Sequence, residues 1–150
     1  MKGTIQAYKL KFGTVWIAKT IKGICKIDLS GKKNTFLQNL PKNIEWTEKK
    51  IDRSGKLPRG KLDLAAGTLF QQKVWRAIAK IPKGQTRSYA WLAKTAGRPK
   101  AVRAAANVCG ANPIPLLIPC HRVIRSDGTI GGFSGPLRLK KLLLQEEADK

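Results

Sequence analysis

The sequence predicts an α+β chain in two parts. A small N-terminal α/β domain, residues 1–60, carries a three-stranded antiparallel sheet, and a mostly helical C-terminal domain, residues 61–150, carries a helix-turn-helix. Three observations lead there. Short β-forming runs separated by glycine-containing breaks fill residues 5–29. From Thr68 the apolar period becomes helical. The 150 residues, 42% hydrophobic and 26% charged, form one ordinary domain or two small ones sharing a core, not a disordered chain.

In order, residues 5–10, 14–19 and 23–29 read as a meander with tight turns at Phe12-Gly13 and Ile21-Lys22-Gly23. Cys25 reads as a strand core residue. Residues 34–56 are ambiguous, with a helix over part of them. Residues 57–67, with Pro58, Gly60 and Gly67, read as an extended connector. Thr68 and Gln71 fit a capping box, in which hydroxyl and amide side chains satisfy free backbone groups at a helix start. Phe70, Val74, Trp75, Ile78 and Ala79 mark that helix's apolar face, and Pro82 and Gly84 end it. A second helix over residues 88–96 buries Tyr89, Leu92 and Ala93. Gly97-Arg98-Pro99 breaks the chain, and a third helix begins at Lys100 with Pro99 at its mouth.

The net charge of +21 is shared, +10 over residues 1–67 and +11 over residues 68–150, so it is no basic tail. From Leu64 to Ser126 there are 11 Lys and Arg and no acidic residue. A generally basic surface accounts well for the N-terminal lysines but poorly for that acid-free run. Nucleic acid is the natural partner, because each phosphate neutralised releases counterions. The third helix offers few long polar side chains for reading base edges. Its alanines suit close approach to a groove without sequence preference, with Arg103 free to act as a wedge. Ala101, Ala104, Ala105 and Ala106 do not share one helical face, so some of them are exposed.

Other classes are disfavoured. No apolar run reaches the roughly 18 residues of a membrane span, and residues 1–6 hold no signal-peptide core; the expectation is a cytoplasmic protein that does not engage membranes. Three cysteines, Cys25, Cys109 and Cys120, make an odd number without paired spacing, which argues against a disulfide framework. With a single histidine and no CxxC, no zinc site is expected.

That histidine, His121, lies within Pro119-Cys120-His121-Arg122. A thiol becomes a good nucleophile once a base removes its proton. The alternative, a buried structural cysteine beside a surface histidine, leaves the flanking features unexplained: the rigid apolar stretch 113–119, the arginines Arg122 and Arg125, and the polyanion-directed charge.

Together these residues resemble the O6-alkylguanine-DNA alkyltransferases (methylated-DNA–protein-cysteine methyltransferases). The resemblance covers residues 67–147 through Gly67-Thr68-Leu69-Phe70-Gln71, Val74-Trp75, Thr86-Arg87-Ser88-Tyr89, Gly97-Arg98-Pro99-Lys100-Ala101-Val102-Arg103-Ala104, Ala111-Asn112-Pro113-Ile114-Pro115, Ile118-Pro119-Cys120-His121-Arg122-Val123-Ile124 and Gly131-Gly132-Phe133-Ser134-Gly135. The first 60 or so residues match only in strand pattern. The expected fold is a winged-helix-type C-terminal domain behind the antiparallel sheet, whose topology rests more on the resemblance than on the strand pattern.

The resemblance implies a DNA repair protein that moves an alkyl group from O6-alkylguanine irreversibly to its own Cys120. His121 would act as base through a bridging water, and Glu147, or the adjacent Glu146, would orient the imidazole. Asn112 would brace the active-site segment, and Tyr89 would donate to guanine N3. The Val123 and Cys120 carbonyls would accept from the exocyclic amine, and the Ser134 amide would donate to O6. Phe133 stands where many relatives have tyrosine, so ring packing over the base is kept while the hydroxyl is absent. Arg103 would fill the gap left by an extruded nucleotide, with Arg98, Lys100 and Arg122 also on the DNA-binding side and the helix pair in the minor groove. Base flipping is required because a stacked O6 substituent cannot meet a protein thiol in line. No cofactor and no metal are needed, the partner is double-stranded DNA containing O6-alkylguanine, and the protein is expected to be a monomer consumed in one turnover.

Three rival readings make different demands. A lesion binder without transfer lacks an acceptor cysteine, which this chain has. A general basic nucleic-acid module leaves Cys120-His121 structural. A cysteine hydrolase needs an oxyanion motif that the chain does not display.

Overall fold

The computed structural model describes residues 1–133 and 135–148, and the chain divides into two compact units after Leu64. In the first unit, β1 (Lys2–Leu10), β2 (Gly13–Thr20) and β3 (Gly23–Asp28) pair antiparallel in sequence order. Helix α1 (Lys33–Gln38) then carries the chain to β4 (Glu45–Asp52), which pairs parallel to β1. The sheet is therefore four-stranded and mixed, in the order β3-β2-β1-β4, instead of the expected three-stranded antiparallel one.

The fourth strand was hidden for a physical reason. Its sequence, Glu45-Trp46-Thr47-Glu48-Lys49-Lys50-Ile51-Asp52, is an edge strand with no buried residue, so it lacks the apolar alternation that marks a half-buried strand. A parallel neighbour also needs a crossover, and α1 supplies it. Phe36 of α1 is fully buried and stacks on Trp16 of β2 with ring centroids 5.9 Å apart. Around that pair Ile5, Ala7, Ala18 and Leu40 close the core, and half-buried Cys25 packs against it.

The second unit is mostly helical. Helix α2 (Leu69–Ala79) starts on the predicted capping box: Thr68 Oγ1 accepts from the Gln71 amide at 3.1 Å and Gln71 Oε1 accepts from the Thr68 amide at 2.9 Å. Its buried residues are Val74, Trp75, Ala77 and Ile78; Ala79 is exposed, a correction to the predicted face. Strand β5 (Arg87–Ser88) leads into α3 (Tyr89–Thr95), which Ser88 caps by accepting from the Trp91 amide. A short turn joins α3 to α4 (Val102–Gly110), which starts two residues later than Lys100. On α4 Ala105 is buried and Ala104 exposed, while Trp75 Nε1 donates to the Val108 carbonyl at 3.0 Å and ties α2 to α4. Strand β6 (Val123–Ile124) pairs parallel with β5, and α5 (Leu137–Ala148) follows.

Candidate active site

The segment between α4 and β6 is rigid before any chemistry is considered. Buried Asn112 clamps it: Nδ2 donates to the Ile118 carbonyl at 2.7 Å, and Oδ1 accepts from the Ile114 amide at 2.9 Å. Leu116 adopts φ of 75°, a conformation that costs a non-glycine residue of order 1 kcal/mol and persists where surrounding bonds hold it. The segment delivers Cys120, His121 and Arg122 into one short 3-10 turn. Cys120 is 1% exposed and His121 3%.

Glu147, on the last turn of α5, reaches that turn. Its Oε1 lies 2.8 Å from His121 Nε2. Arg122 donates to the same carboxylate from Nε at 3.1 and 3.0 Å and from Nη2 at 2.8 Å, and its Nη1 donates to the Ile81 carbonyl at 2.7 Å. Burial opposes ionisation of Glu147, but the hydrogen bonds from Arg122 and His121 outweigh it and hold the carboxyl at about 2. Burial pushes His121 below its ordinary value against the pull of Glu147, so at neutral pH the ring is uncharged. A neutral imidazole facing a carboxylate carries its proton on the facing nitrogen. Nε2–H therefore donates to Glu147, and Nδ1 keeps its lone pair. That Nδ1 is buried and has no hydrogen-bond partner among the described residues.

Arg122 was expected on the DNA-binding side. Its guanidinium is instead engaged internally by Glu147 and Ile81, which makes it an anchor of the turn.

Two buried groups were not anticipated. Lys140 of α5 is 0% exposed, and its Nζ donates to the Val123 carbonyl at 2.8 Å and the Gly132 carbonyl at 2.6 Å. Burial lowers its pKa. A carbonyl has two lone pairs, so Val123 keeps one acceptor site. The signal was present: Lys140 and Glu147 are seven residues apart, about two helical turns, which puts both on one face of α5. Cys109 is buried with Sγ 4.0 Å from the Cys120 carbonyl, and burial pushes its thiol up to about 12. Nothing in its sequence context distinguished it from a core residue.

Tyr89 is buried at the start of α3. Burial pushes its phenol up to about 12, so the hydroxyl stays protonated and available to donate. A Cβ at Gly131, whose φ is +72°, would lie 2.6 Å from that hydroxyl, so only glycine lets the 131–132 stretch approach. Phe133 is half-buried just beyond it; Ser134 lies outside the described residues.

Arg98, Lys100 and Arg103 are all exposed at the turn and first turn of α4, with the Arg98 guanidinium 4.8 Å from the Phe70 ring centroid. Among the described residues no three His, Cys, Asp or Glu side chains come together as metal ligands. No described helix is long and apolar enough to cross a membrane.

Fold and site define a basic, mostly helical unit that buries Cys120 and His121 in one short turn, with His121 bonded to Glu147. Residues 69–149 match the family model for the DNA binding domain of 6-O-methylguanine DNA methyltransferase, and the chain belongs to that family. It is 40% identical over 148 residues to the methylated-DNA–protein-cysteine methyltransferase of Methanosarcina barkeri, covering 90% of each chain. It is 54% identical over 84 residues to the regulatory protein Ada of Salmonella typhimurium, covering 56% of this chain but 24% of that one. The chain thus spans about a quarter of one relative and nine tenths of the other. Among solved structures, the Mycobacterium tuberculosis OGT in complex with DNA superimposes with a TM-score of 0.79 at 28% identity, over 97% of this chain and 93% of that one.

Proposed function

We propose that this chain repairs double-stranded DNA by moving the alkyl group of O6-alkylguanine to its own Cys120. The observation that carries this reading is the buried turn, shared with Cys120, in which His121 Nε2–H donates to Glu147 and Nδ1 keeps its lone pair. Through a bridging water, Nδ1 takes the thiol proton. The sulfur attacks the alkyl carbon, the carbon–O6 bond breaks, and the electron pair moves into the purine. Tyr89, a phenol kept protonated by burial, hydrogen-bonds the purine N3 as charge builds there. The Val123 and Cys120 carbonyls accept the exocyclic amine and so select guanine. Phe133 packs on the base, and the Ser134 amide donates to O6.

Thioether formation has no built-in reversal, so each molecule acts once. A buried thiol meets a base only after extrusion of the nucleotide. Arg103, exposed at the start of α4, fills the resulting gap, while Arg98 and Lys100 contact phosphate as α4 lies in the minor groove. The three helices α2–α4 with the small β5–β6 ladder support a winged-helix-type reading of this unit. One chain carries every reacting group, which supports a monomer.

The test is a duplex with labelled methyl on O6 of one guanine. Label should appear on the peptide carrying Cys120, at one methyl per chain, and Cys120→Ala should take up none. Full uptake by that variant would refute the assignment.

A further inference from the structure

On the side of α2 turned away from α4, the α2 and α3 helices leave an open groove of about 430 Å³. Lys73, Arg76 and Lys80 line it from α2, and Arg87, Trp91 and Thr95 line it from β5 and α3. None of its lining residues is acidic. Positions 73, 76 and 80 share one helical face, while Trp75, which bonds to α4, points to the opposite one. The groove is therefore a further basic surface on the face of α2 opposite Trp75, and its lining ends at Gly97, next to Arg98 of the other cluster.

Its geometry suits a polyanion of regular spacing. Three cations separated by three and four residues stand about 4.5 and 6 Å apart along the helix axis. A DNA strand carries one charge per about 3.4 Å of duplex axis, so the row, about 10.5 Å long, spans about three phosphate intervals, or four successive phosphates. All three α2 cations are exposed. The far wall is pre-ordered: Arg87 donates to the Thr86 carbonyl at 2.9 Å and to Gln85 Oε1 at 2.8 Å, and stacks 5.6 Å from the Trp91 ring centroid. The floor holds buried Ala77, Ile81 and Ala96, so a ligand there meets a fixed surface.

We propose that the α2–α3 groove is a second DNA-backbone site, which binds a stretch of duplex phosphates separate from the one held at α4. This rests on the repair reading and extends it: a repair protein with two backbone contacts would grip DNA on either side of the helical unit while α4 samples for damage. The contacts are charge-based and independent of sequence.

The experiment is duplex affinity as a function of salt for the full chain and for Lys73→Gln/Arg76→Gln/Lys80→Gln, with uptake from free O6-benzylguanine as a check on fold and thiol. The triple variant should bind undamaged duplex about tenfold or more weaker. Its slope of log affinity against log salt should flatten by about 2 to 3, near 0.9 for each phosphate no longer neutralised. Benzyl uptake should stay at the unaltered rate. The single exchanges Lys73→Gln and Lys80→Gln should each flatten the slope by about 1. Combined with Arg103→Ala, the losses should add, as for independent sites. An unchanged slope in the triple variant overturns the proposal. So does loss of binding to phosphatidylserine vesicles with duplex binding intact, which would assign the groove to a membrane surface. Failure of the repair reading looks different: the unaltered protein would show neither salt-dependent duplex binding nor benzyl uptake.

Discussion

Around Cys120 the groups His121, Arg122, Lys140 and Glu147 are buried or half-buried and bonded to named partners, whereas at the α3–α4 turn and the start of α4 Arg98, Lys100 and Arg103 stand in solvent. The two regions lie in one unit yet use charge in opposite ways. In the first, low dielectric makes each pairing strong and each unpaired group costly, so geometry is tightly specified. In the second, on the proposed function, cations stay hydrated until phosphates arrive, and their contribution depends on salt. Chemistry is thus separated from capture. Substitutions in the relay should change stability and reaction on any substrate, and those on α4 should change only what depends on DNA.

The largest expected effect comes from Glu147→Gln. It leaves the Arg122 guanidinium without its anion and replaces an acceptor-only carboxylate, which fixes the His121 tautomer, with an amide that can accept or donate, a loss of about 3 kcal/mol for a largely buried pair. Thermal melting should show it, and benzyl uptake should slow at least tenfold. The pH dependence has a definite sign. The folded-state carboxyl, held at about 2, lies below its ordinary 4.5, so its stabilisation is present at neutral pH and lost as pH falls from 4.5 towards 2. The variant's melting temperature should lack that part of the acid dependence.

Lys140→Met should cost somewhat less, about 1–3 kcal/mol, because the Val123 and Gly132 carbonyls lose a buried donor. A variant that melts like the unaltered protein would show that water replaces Nζ without cost. Alkylation itself should destabilise by about 1–3 kcal/mol, because a methyl added to a 1% exposed sulfur overpacks its surroundings. Melting temperature before and after reaction with a duplex containing O6-methylguanine, read once the DNA is removed, measures this directly. Arg103→Ala should have the smallest effect on stability, within about 0.5 kcal/mol. It should slow repair of duplex while uptake from free base is unaffected; equal loss on both substrates would erase the distinction between the two regions.

Legibility in the sequence followed the same division. The Thr68–Gln71 capping box, the Ser88 start of α3 and the Cys120-His121 pair were readable because each depends on neighbours in sequence. Strand β4 was not, since its pairing with β1 spans some forty residues and only half-buried Trp46 reaches the core, so its sequence shows no apolar alternation. The roles of Arg122 and Lys140 were not readable for a related reason. A charged side chain defaults to solvent unless a distant partner is known, and their partners, Ile81, Glu147, Val123 and Gly132, come from other elements.

On the proposed function, a neutral His121, tied to Glu147 through Nε2–H, presents a lone pair on Nδ1 for the thiol proton. As the chain's single histidine, its ring nitrogens can be read without ambiguity by ¹⁵N NMR at pH 7. Nε2 should be protonated and Nδ1 unprotonated, and this should persist below the ordinary histidine pKa of 6.5. An Nδ1-protonated ring, or an imidazolium at neutral pH, would contradict it.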